Sequence, residues 1–147
     1  NGDVYTYDAP LPYSYNDSTP LDQPLKENGT LTNPELVIGG GPVLVKNGQE
    51  NLTYNEEVFW GSGVSTTDSR PRTAVCITSD DKLLMFIATN SRLGHLPALL
   101  IDLGCDQAMN LDGGGSTAMV TKSKTIYDQD RAIPTALLIV DTATYQN

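Results

Sequence analysis

The chain has 147 residues, a length sufficient for one domain with a hydrophobic core. Acidic residues outnumber basic ones by 18 to 9 without a stripe of Lys and Arg, which excludes nucleic acid as a partner because phosphate-backbone binding needs clustered cations. No apolar run approaches the roughly 20 residues that a membrane-spanning helix requires.

Residues 1–35 are rich in Tyr, Pro, Asn and Asp. A short edge strand is predicted at residues 4–7, and the prolines that follow favour an extended connecting segment without regular structure. Because a connection of this length is unusual inside a compact domain, we interpret it either as a cover over a site or as the remainder of a unit whose partner segment is missing.

Two short strands are predicted next, at residues 36–38 and 43–45, followed by a hairpin turn at residues 46–49. Gly39-Gly40-Gly41-Pro42 stands between the two strands. A bend between strands and a ligand-binding role explain this glycine triplet equally well.

A polar connection at residues 50–71 contains the only tryptophan, Trp60, for which a core position is favoured over a sugar-stacking surface. Arg70 and Arg72 stand at its end. Arginines in such places are usually solvated, but a guanidinium also matches the geometry of a phosphate.

Residues 73–78 and 83–88 predict a β-hairpin with its turn at Asp80-Asp81. Both runs are continuously apolar, which favours a position in the middle of a sheet with both faces covered. The one strong helix signal covers residues 95–103, where leucines follow the i, i+3, i+4, i+7 spacing, Pro97 fits the first turn and Gly104 suits the end.

The two cysteines, Cys76 and Cys105, are open to two interpretations. One is a disulfide, which requires an oxidising compartment. The other, which we favour, is a pair of buried small hydrophobic residues, because free cysteine is among the most buried residue types.

The segment of greatest chemical interest is Asn110-Leu111-Asp112-Gly113-Gly114-Gly115-Ser116-Thr117, which lies between strands predicted at residues 107–111 and 117–121. Consecutive glycines leave main-chain N–H groups uncovered, and such turns form anion-binding concavities. One carboxylate beside amide and hydroxyl donors suits a phosphorylated or sugar substrate. The alternative is a tight turn in which Asp112 caps the backbone.

A polar excursion at residues 122–131 precedes an apolar run at residues 132–140, which predicts a buried final strand. Several strands with one main helix and long loops predict an α+β fold with a mixed, mostly antiparallel sheet.

In their order along the chain, five motifs resemble those of the phosphodiester glycosidase family. They are residues 38–42, 71–74 and 103–105, the octapeptide 110–117, and Arg131 followed by residues 136–138. The resemblance implies a mixed sheet with helices around a surface cavity that the glycine-rich loop lines. It implies hydrolysis of a sugar-1-phosphodiester, such as an N-acetylglucosamine-1-phosphodiester on a glycan or exopolysaccharide, to free sugar and a phosphomonoester. We expect a secreted, periplasmic or cell-surface location.

Cleavage of an anomeric bond usually needs two carboxyl groups, but cationic and amide donors can replace the acid when phosphate is the leaving group. We therefore assign Asp112 as nucleophile, general base or sugar-orienting carboxylate, with Arg72 as a second catalytic group that binds the phosphate. The substrate-binding assignments are Thr73, Arg92, Asn110, Gly113, Gly114, Gly115, Ser116, Thr117 and Arg131.

Two departures from the family pattern bear on these assignments. An Asp-Gly-Arg element is replaced by Thr89-Asn90-Ser91-Arg92, so an acid is missing, and the sole histidine, His95, is the candidate to replace it. An N-terminal half with an Asn-Gly-Gly-x-Phe element is also absent. Residues 36–147 are therefore expected to be the C-terminal part of a larger domain, whose first half either stays bound as a cleaved chain or is missing from a shortened, inactive relative. Since the chain lacks an initiator Met and a signal peptide, we expect it to be processed, trimmed or partial.

No cofactor is expected, and the metal content is left undecided. Asp112 with Asp106 or Asp128 could face a Ca²⁺ ion, but their spacing differs from the Ca²⁺ loop motif. Two other functions compete with the enzyme: a non-catalytic domain that binds phosphorylated glycans, and a structural surface domain in which the loop is only a turn.

Overall fold

The structure, a computed structural model, describes residues 26–27, 30–31, 38–57 and 59–141. The regular elements, in chain order, are β1 (Lys26–Glu27), β2 (Thr30–Leu31), β3 (Val43–Lys46), β4 (Gln49–Glu50), β5 (Arg70–Thr78), β6 (Leu83–Ser91), α1 (Leu96–Asp102), β7 (Cys105–Asn110), β8 (Met119–Val120) and β9 (Thr125–Tyr127). Short 3₁₀ helices lie at Phe59–Gly61, Leu93–His95 and Gly114–Ser116.

Five strands form the main sheet in the spatial order β4-β3-β7-β5-β6, and each pairing within it is antiparallel. β1 with β2, and β8 with β9, form two separate antiparallel pairs. The α+β prediction with a mostly antiparallel sheet and one main helix is confirmed.

The core lies between the sheet and α1, which packs on β3, β4 and β7. Leu96 and Leu100 of the helix are fully buried, whereas Leu99 and Leu103 are 43% and 50% exposed. The leucine pattern therefore predicted the helix correctly, but only two of its four leucines face the core. The helix is entered through a 3₁₀ turn and is followed after Leu103 by Gly104, whose N–H donates to the Ile101 carbonyl at 2.8 Å.

The favoured prediction of two free cysteines is wrong, because Cys76 and Cys105 form a disulfide that joins β5 to β7. These strands are adjacent, and a shift in their register near Thr78 brings the two cysteine Cα atoms to 5.8 Å, within the usual range for a disulfide. This proximity depends on a pairing between segments far apart in sequence, which the cysteine spacing does not reveal.

The β-hairpin of β5 and β6 forms with the predicted turn, and Val75 pairs with Met85. Its predicted position in the middle of the sheet is wrong for β6, which is the last strand of the described sheet. Leu83 and Met85 are 43% and 42% exposed, while the alternate residues Leu84 and Phe86 pack against the core. An uninterrupted apolar run thus formed a strand covered on one face only.

Two further predictions are wrong. Trp60 is 70% exposed, because neighbouring side chains of a 3₁₀ turn diverge and Phe59 is the one that stacks inward on Tyr54. Residues 132–140 form no strand, and Leu138, Ile139 and Val140 are all more than half exposed, because the run pairs with no strand in the described part of the chain.

The predicted strand at residues 4–7, residues 36–37 of the next predicted strand, and most of the segment 1–35 lie outside the described residues. Ile38 is described and is not in a strand. Across the ranges that the structure describes, none of the helices combines the length and the apolarity needed to cross a bilayer.

Candidate active site

The order of strands brings three distant segments of the chain to one end of the sheet. β7 lies between β3 and β5 and runs antiparallel to both. The end of β7 is therefore beside the starts of β3 and β5. The loop after Asn110, the first glycine triplet and the Arg70-Pro71-Arg72 segment meet there as a result.

Asn110 joins the two glycine-rich segments. Its N–H donates to the Pro42 carbonyl at 3.0 Å, its carbonyl accepts from the Gly41 N–H at 2.7 Å, and its side-chain amide donates to the Gly41 carbonyl at 3.0 Å. A Cβ atom on Gly40 would lie 2.7 Å from the Asn110 carbonyl oxygen, so only glycine allows this close approach. Asn110 is 5% exposed and acts first as a structural link between the two turns.

A cavity of about 570 Å³ opens where these segments meet. Both glycine triplets line it, together with Phe59, the Asp112 carboxylate and three of the four arginines of the chain, Arg70, Arg72 and Arg131. In a protein of net charge −9, this concentration of arginines suits an anionic ligand. The ligand role of the first glycine triplet, which the sequence left undecided, is favoured by its place in the cavity wall.

Asp112 and Arg131 form the charged pair of this site. The Arg131 Nη2 donates to Asp112 Oδ2 at 2.8 Å, and its Nε donates to the Ser116 hydroxyl at 2.7 Å. The other carboxylate oxygen of Asp112 accepts from the Gly113 N–H at 2.9 Å. Both charged side chains stay open, with 71% of Asp112 and 61% of Arg131 exposed. The carboxylate is therefore oriented by neighbours yet accessible to a ligand.

The glycine-rich loop forms a single 3₁₀ turn, in which Gly114 takes a φ of +58° that favours glycine. The N–H groups of Ser116 and Thr117 donate to the loop carbonyls of Gly113 and Gly114. The N–H of Gly113 is occupied by Asp112. Of the amides predicted to hold phosphate, those of Gly114 and Gly115 donate to no other residue in the described ranges.

Arg72 is a buried structural residue of the cavity wall, only 3% exposed. Its Nη2 donates to the carbonyls of Ser65 and Asp68 at 2.8 and 2.9 Å, and its Nε donates to that of Ser91 at 3.3 Å. Burial, and next the nearby charge of Arg70, lower the pKa of the Arg72 guanidinium. The geometry places Arg72 as the residue that fixes residues 65–68 against the end of β6.

The hydroxyl residues predicted to bind substrate lie behind the loop. The Thr73 hydroxyl donates to the Asp112 carbonyl and so holds the loop to β5. Ser116 and Thr117 are 7% and 0% exposed. Neither they nor Thr73 contribute to the cavity wall. Thr73 contacts Asp112 directly and Ser116 contacts its partner Arg131, whereas the buried Thr117 hydroxyl has no hydrogen-bond partner among the described residues.

His95 and Arg92 are not brought to the cavity. Both are exposed, and His95 stands at the start of α1 without a side-chain cap bond. Neither lines the cavity wall. No group of three or more His, Cys, Asp or Glu side chains suited to a metal occurs within residues 38–57 and 59–141.

Sequence reasoning missed Phe59 and Glu57 entirely. Glu57 Oε1 accepts from the Val43 N–H at 2.8 Å and from the Thr53 hydroxyl, which anchors the connection after β4 to the start of β3. Its Oε2 lies beside Gly41. No sequence motif indicates that Glu57 contacts Val43, which lies 14 residues earlier in the chain. Arg70 was noticed as a possible phosphate ligand, but Arg72 was assigned instead because it lies in the family motif at residues 71–74.

Comparison with known proteins agrees with this picture. The family model described as phosphodiester glycosidase matches residues 11–140. The structure is similar to the zebrafish N-acetylglucosamine-1-phosphodiester α-N-acetylglucosaminidase catalytic domain auto-inhibited by its pro-peptide, with a TM-score of 0.51 and 25% identity over 61% of this chain and 34% of that one. A hypothetical protein from Synechocystis shares the fold, with a TM-score of 0.55 and 23% identity over 63% of this chain and 18% of that one. No curated protein sequence matches the chain significantly.

Proposed function

The chain belongs to the phosphodiester glycosidase family, and on that premise we propose that it hydrolyses a sugar-1-phosphodiester to the free sugar and a phosphomonoester. The observation that carries the proposal is the contact of Asp112 with Arg131 at the wall of an arginine-lined cavity. A carboxylate beside a cation and open main-chain amides can serve both the sugar carbon and the departing phosphate.

In the proposed reaction, the bond between the anomeric carbon and the bridging oxygen breaks, and its electron pair leaves with the phosphate. A water oxygen becomes attached to the anomeric carbon and keeps one proton as the sugar hydroxyl, while the second proton of the water passes to Asp112 or to solvent. The transition state carries positive charge on the sugar, which the Asp112 carboxylate stabilises.

Negative charge grows at the same time on the phosphate oxygen. Arg131, which already contacts Asp112, and the amides of Gly114 and Gly115 are the groups that meet it. Prearranged donors of this kind are effective because they need no reorganisation during the reaction. No strong general acid is then required for a phosphate leaving group.

N-Acetylglucosamine is the sugar that we propose, on a glycan or exopolysaccharide, because the zebrafish relative is named for that substrate. The chain spans 34% of the zebrafish chain and 18% of the Synechocystis chain. We propose in addition that an N-terminal half, cleaved from the chain, stays associated with it.

A secreted, periplasmic or cell-surface location is proposed as well. The Cys76–Cys105 disulfide supports it, because disulfides form and persist in oxidising compartments and are rare in the cytosol.

A second function, non-catalytic binding of phosphorylated glycans, is favoured by one observation. Asp112 is the only carboxylate among the described residues of the cavity wall, whereas most glycosidases use two carboxyl groups. The same cavity could hold the ligand without cleaving it.

The test is incubation of the purified chain with a synthetic N-acetylglucosamine-1-phosphodiester, followed by ³¹P NMR. We expect the diester signal to be replaced by that of a phosphomonoester as free sugar accumulates. Binding measured by calorimetry without turnover would favour the second function. If the chain neither binds nor hydrolyses the diester, a structural surface domain is the remaining interpretation.

A further inference from the structure

Arg70 differs from the other two arginines of the cavity wall in how few of its donors are in use. A guanidinium has five N–H donors. Arg72 commits its Nε and Nη2 to three carbonyls, and Arg131 commits its Nε and Nη2 to Ser116 and Asp112. Arg70 donates only from Nη2, to Asp68 Oδ2 at 2.7 Å, within the described residues. Its side chain is 38% exposed.

The buried Arg72, two residues further along the same strand, helps to determine where the Arg70 side chain lies. Arg70 and Arg72 both line the cavity, and the pairing of β5 with β6 is irregular between them. Arg72 holds the Ser65 and Asp68 carbonyls, and the Asp68 carboxylate in turn holds the Arg70 head. The buried arginine thus shapes the segment that orients the exposed one.

The charges around the cavity leave a place for an anion. Three guanidinium groups and one carboxylate belong to its wall. The Arg70 and Arg72 cations are close enough that the charge of Arg70 contributes to the lowered pKa of Arg72. An anion bound beside Arg70 would offset this repulsion, and a guanidinium binds phosphate oxygens in a bidentate manner.

We infer that Arg70, rather than the buried Arg72, is the second cation that contacts the phosphate, across the cavity from Arg131. This inference rests on the proposed function and names a binding residue for it. Arg70 binds the phosphoryl oxygens that do not bridge to the sugar, and it favours phosphodiesters over neutral glycosides. Arg72 acts as a positioning residue, since its donors are engaged with the backbone.

The experiment measures binding of inorganic phosphate to the full chain by calorimetry, which needs no turnover. We expect Arg70→Gln to weaken phosphate binding at least about tenfold, since hydrogen bonds to charged groups are the stronger ones. Arg70→Lys keeps the charge but loses the fork, and we expect an intermediate loss. Lys122→Gln is the matched control because Lys122 is an exposed cation that does not line the cavity wall, and we expect no change.

Thermal unfolding of each variant establishes that it is folded, and an unchanged melting temperature is expected because the Arg70–Asp68 pair is exposed. Phosphate binding by Arg70→Gln within twofold of the parent, or an equal loss in Lys122→Gln, would overturn the inference. If Arg70→Gln loses phosphate binding but the parent chain does not hydrolyse the diester, only the proposed function is refuted. Hydrolysis by the parent with an unaffected Arg70→Gln variant would refute this inference alone.

Discussion

Asp112→Asn is the substitution that most sharply probes the site. The amide oxygen of asparagine can still accept the hydrogen bond from the Gly113 N–H, which the carboxylate accepts at 2.9 Å. The negative charge toward Arg131 and the ability to take up a proton are lost. The variant therefore removes the chemistry of Asp112 while keeping the turn that it forms.

The expected loss of turnover is at least about a hundredfold, the lower end for a group that transfers a proton. This corresponds to about 2.7 kcal/mol of transition-state stabilisation. The loss of folding stability is expected to be small, between about 0 and 1 kcal/mol, because both partners of the Asp112–Arg131 pair are more than half exposed. Turnover and stability are thus predicted to separate.

Asp128→Asn supplies the matched control. Asp128 also accepts a hydrogen bond from the N–H of the next residue, Gln129, at 3.0 Å, but it does not line the cavity. Rates of diester hydrolysis and melting temperatures are measured for both variants and the parent chain. A correctly folded Asp112→Asn variant with near-parental turnover, or an equal loss in Asp128→Asn, would remove Asp112 from the mechanism.

Three further outcomes are expected. Gly40→Ala reduces hydrolysis at least about tenfold, a factor worth 1.36 kcal/mol, since its Cβ would lie 2.7 Å from the Asn110 carbonyl oxygen. Gly94→Ala leaves the rate unchanged, because Gly94 does not line the cavity and its Cβ would lie 3.6 Å from the Thr66 carbonyl oxygen, an ordinary contact. Chemical denaturation shows Leu100→Ala destabilised by about 2–5 kcal/mol, as for a fully buried leucine, and Leu99→Ala by much less, because Leu99 is 43% exposed. Replacing both cysteines by serine lowers the free energy of unfolding by roughly 3–4 kcal/mol, since the disulfide closes a loop with a sequence separation of 29. Equal stability of the parent and the double variant would contradict the presence of the disulfide.

Local signals predicted much of the fold. The Asp80-Asp81 turn and its apolar flanks gave β5 and β6, and the Gly104 stop gave the end of α1. What failed depended on pairing between distant segments. Neither the adjacency that joins Cys76 to Cys105 nor the exposed outer face of β6 is encoded in the spacing of neighbouring residues.

The sequence indicated the residues at the centre of the candidate site, but not the role of each arginine at its edge. The glycine-rich octapeptide was selected because of its place in the order of family motifs, since alone it is also compatible with an ordinary turn, and Asp112 does contact Arg131 in the cavity. Arg72 rather than Arg70 was predicted to bind the phosphate, because Arg72 lies in the family motif at residues 71–74. The backbone carbonyls that occupy Arg72 come from residues 65, 68 and 91, and only the folded chain brings them together.

The most direct test of the central claim is the position of the bond that breaks. Hydrolysis of an N-acetylglucosamine-1-phosphodiester in H₂¹⁸O, followed by mass spectrometry of both products, reports which atom the water attacks. Attack at the anomeric carbon beside Asp112 predicts ¹⁸O in the released sugar and none in the phosphomonoester. Label in the phosphate would show cleavage of a phosphorus–oxygen bond and would contradict the assignment of Asp112 and its arginine partner to the chemistry of a glycosidase.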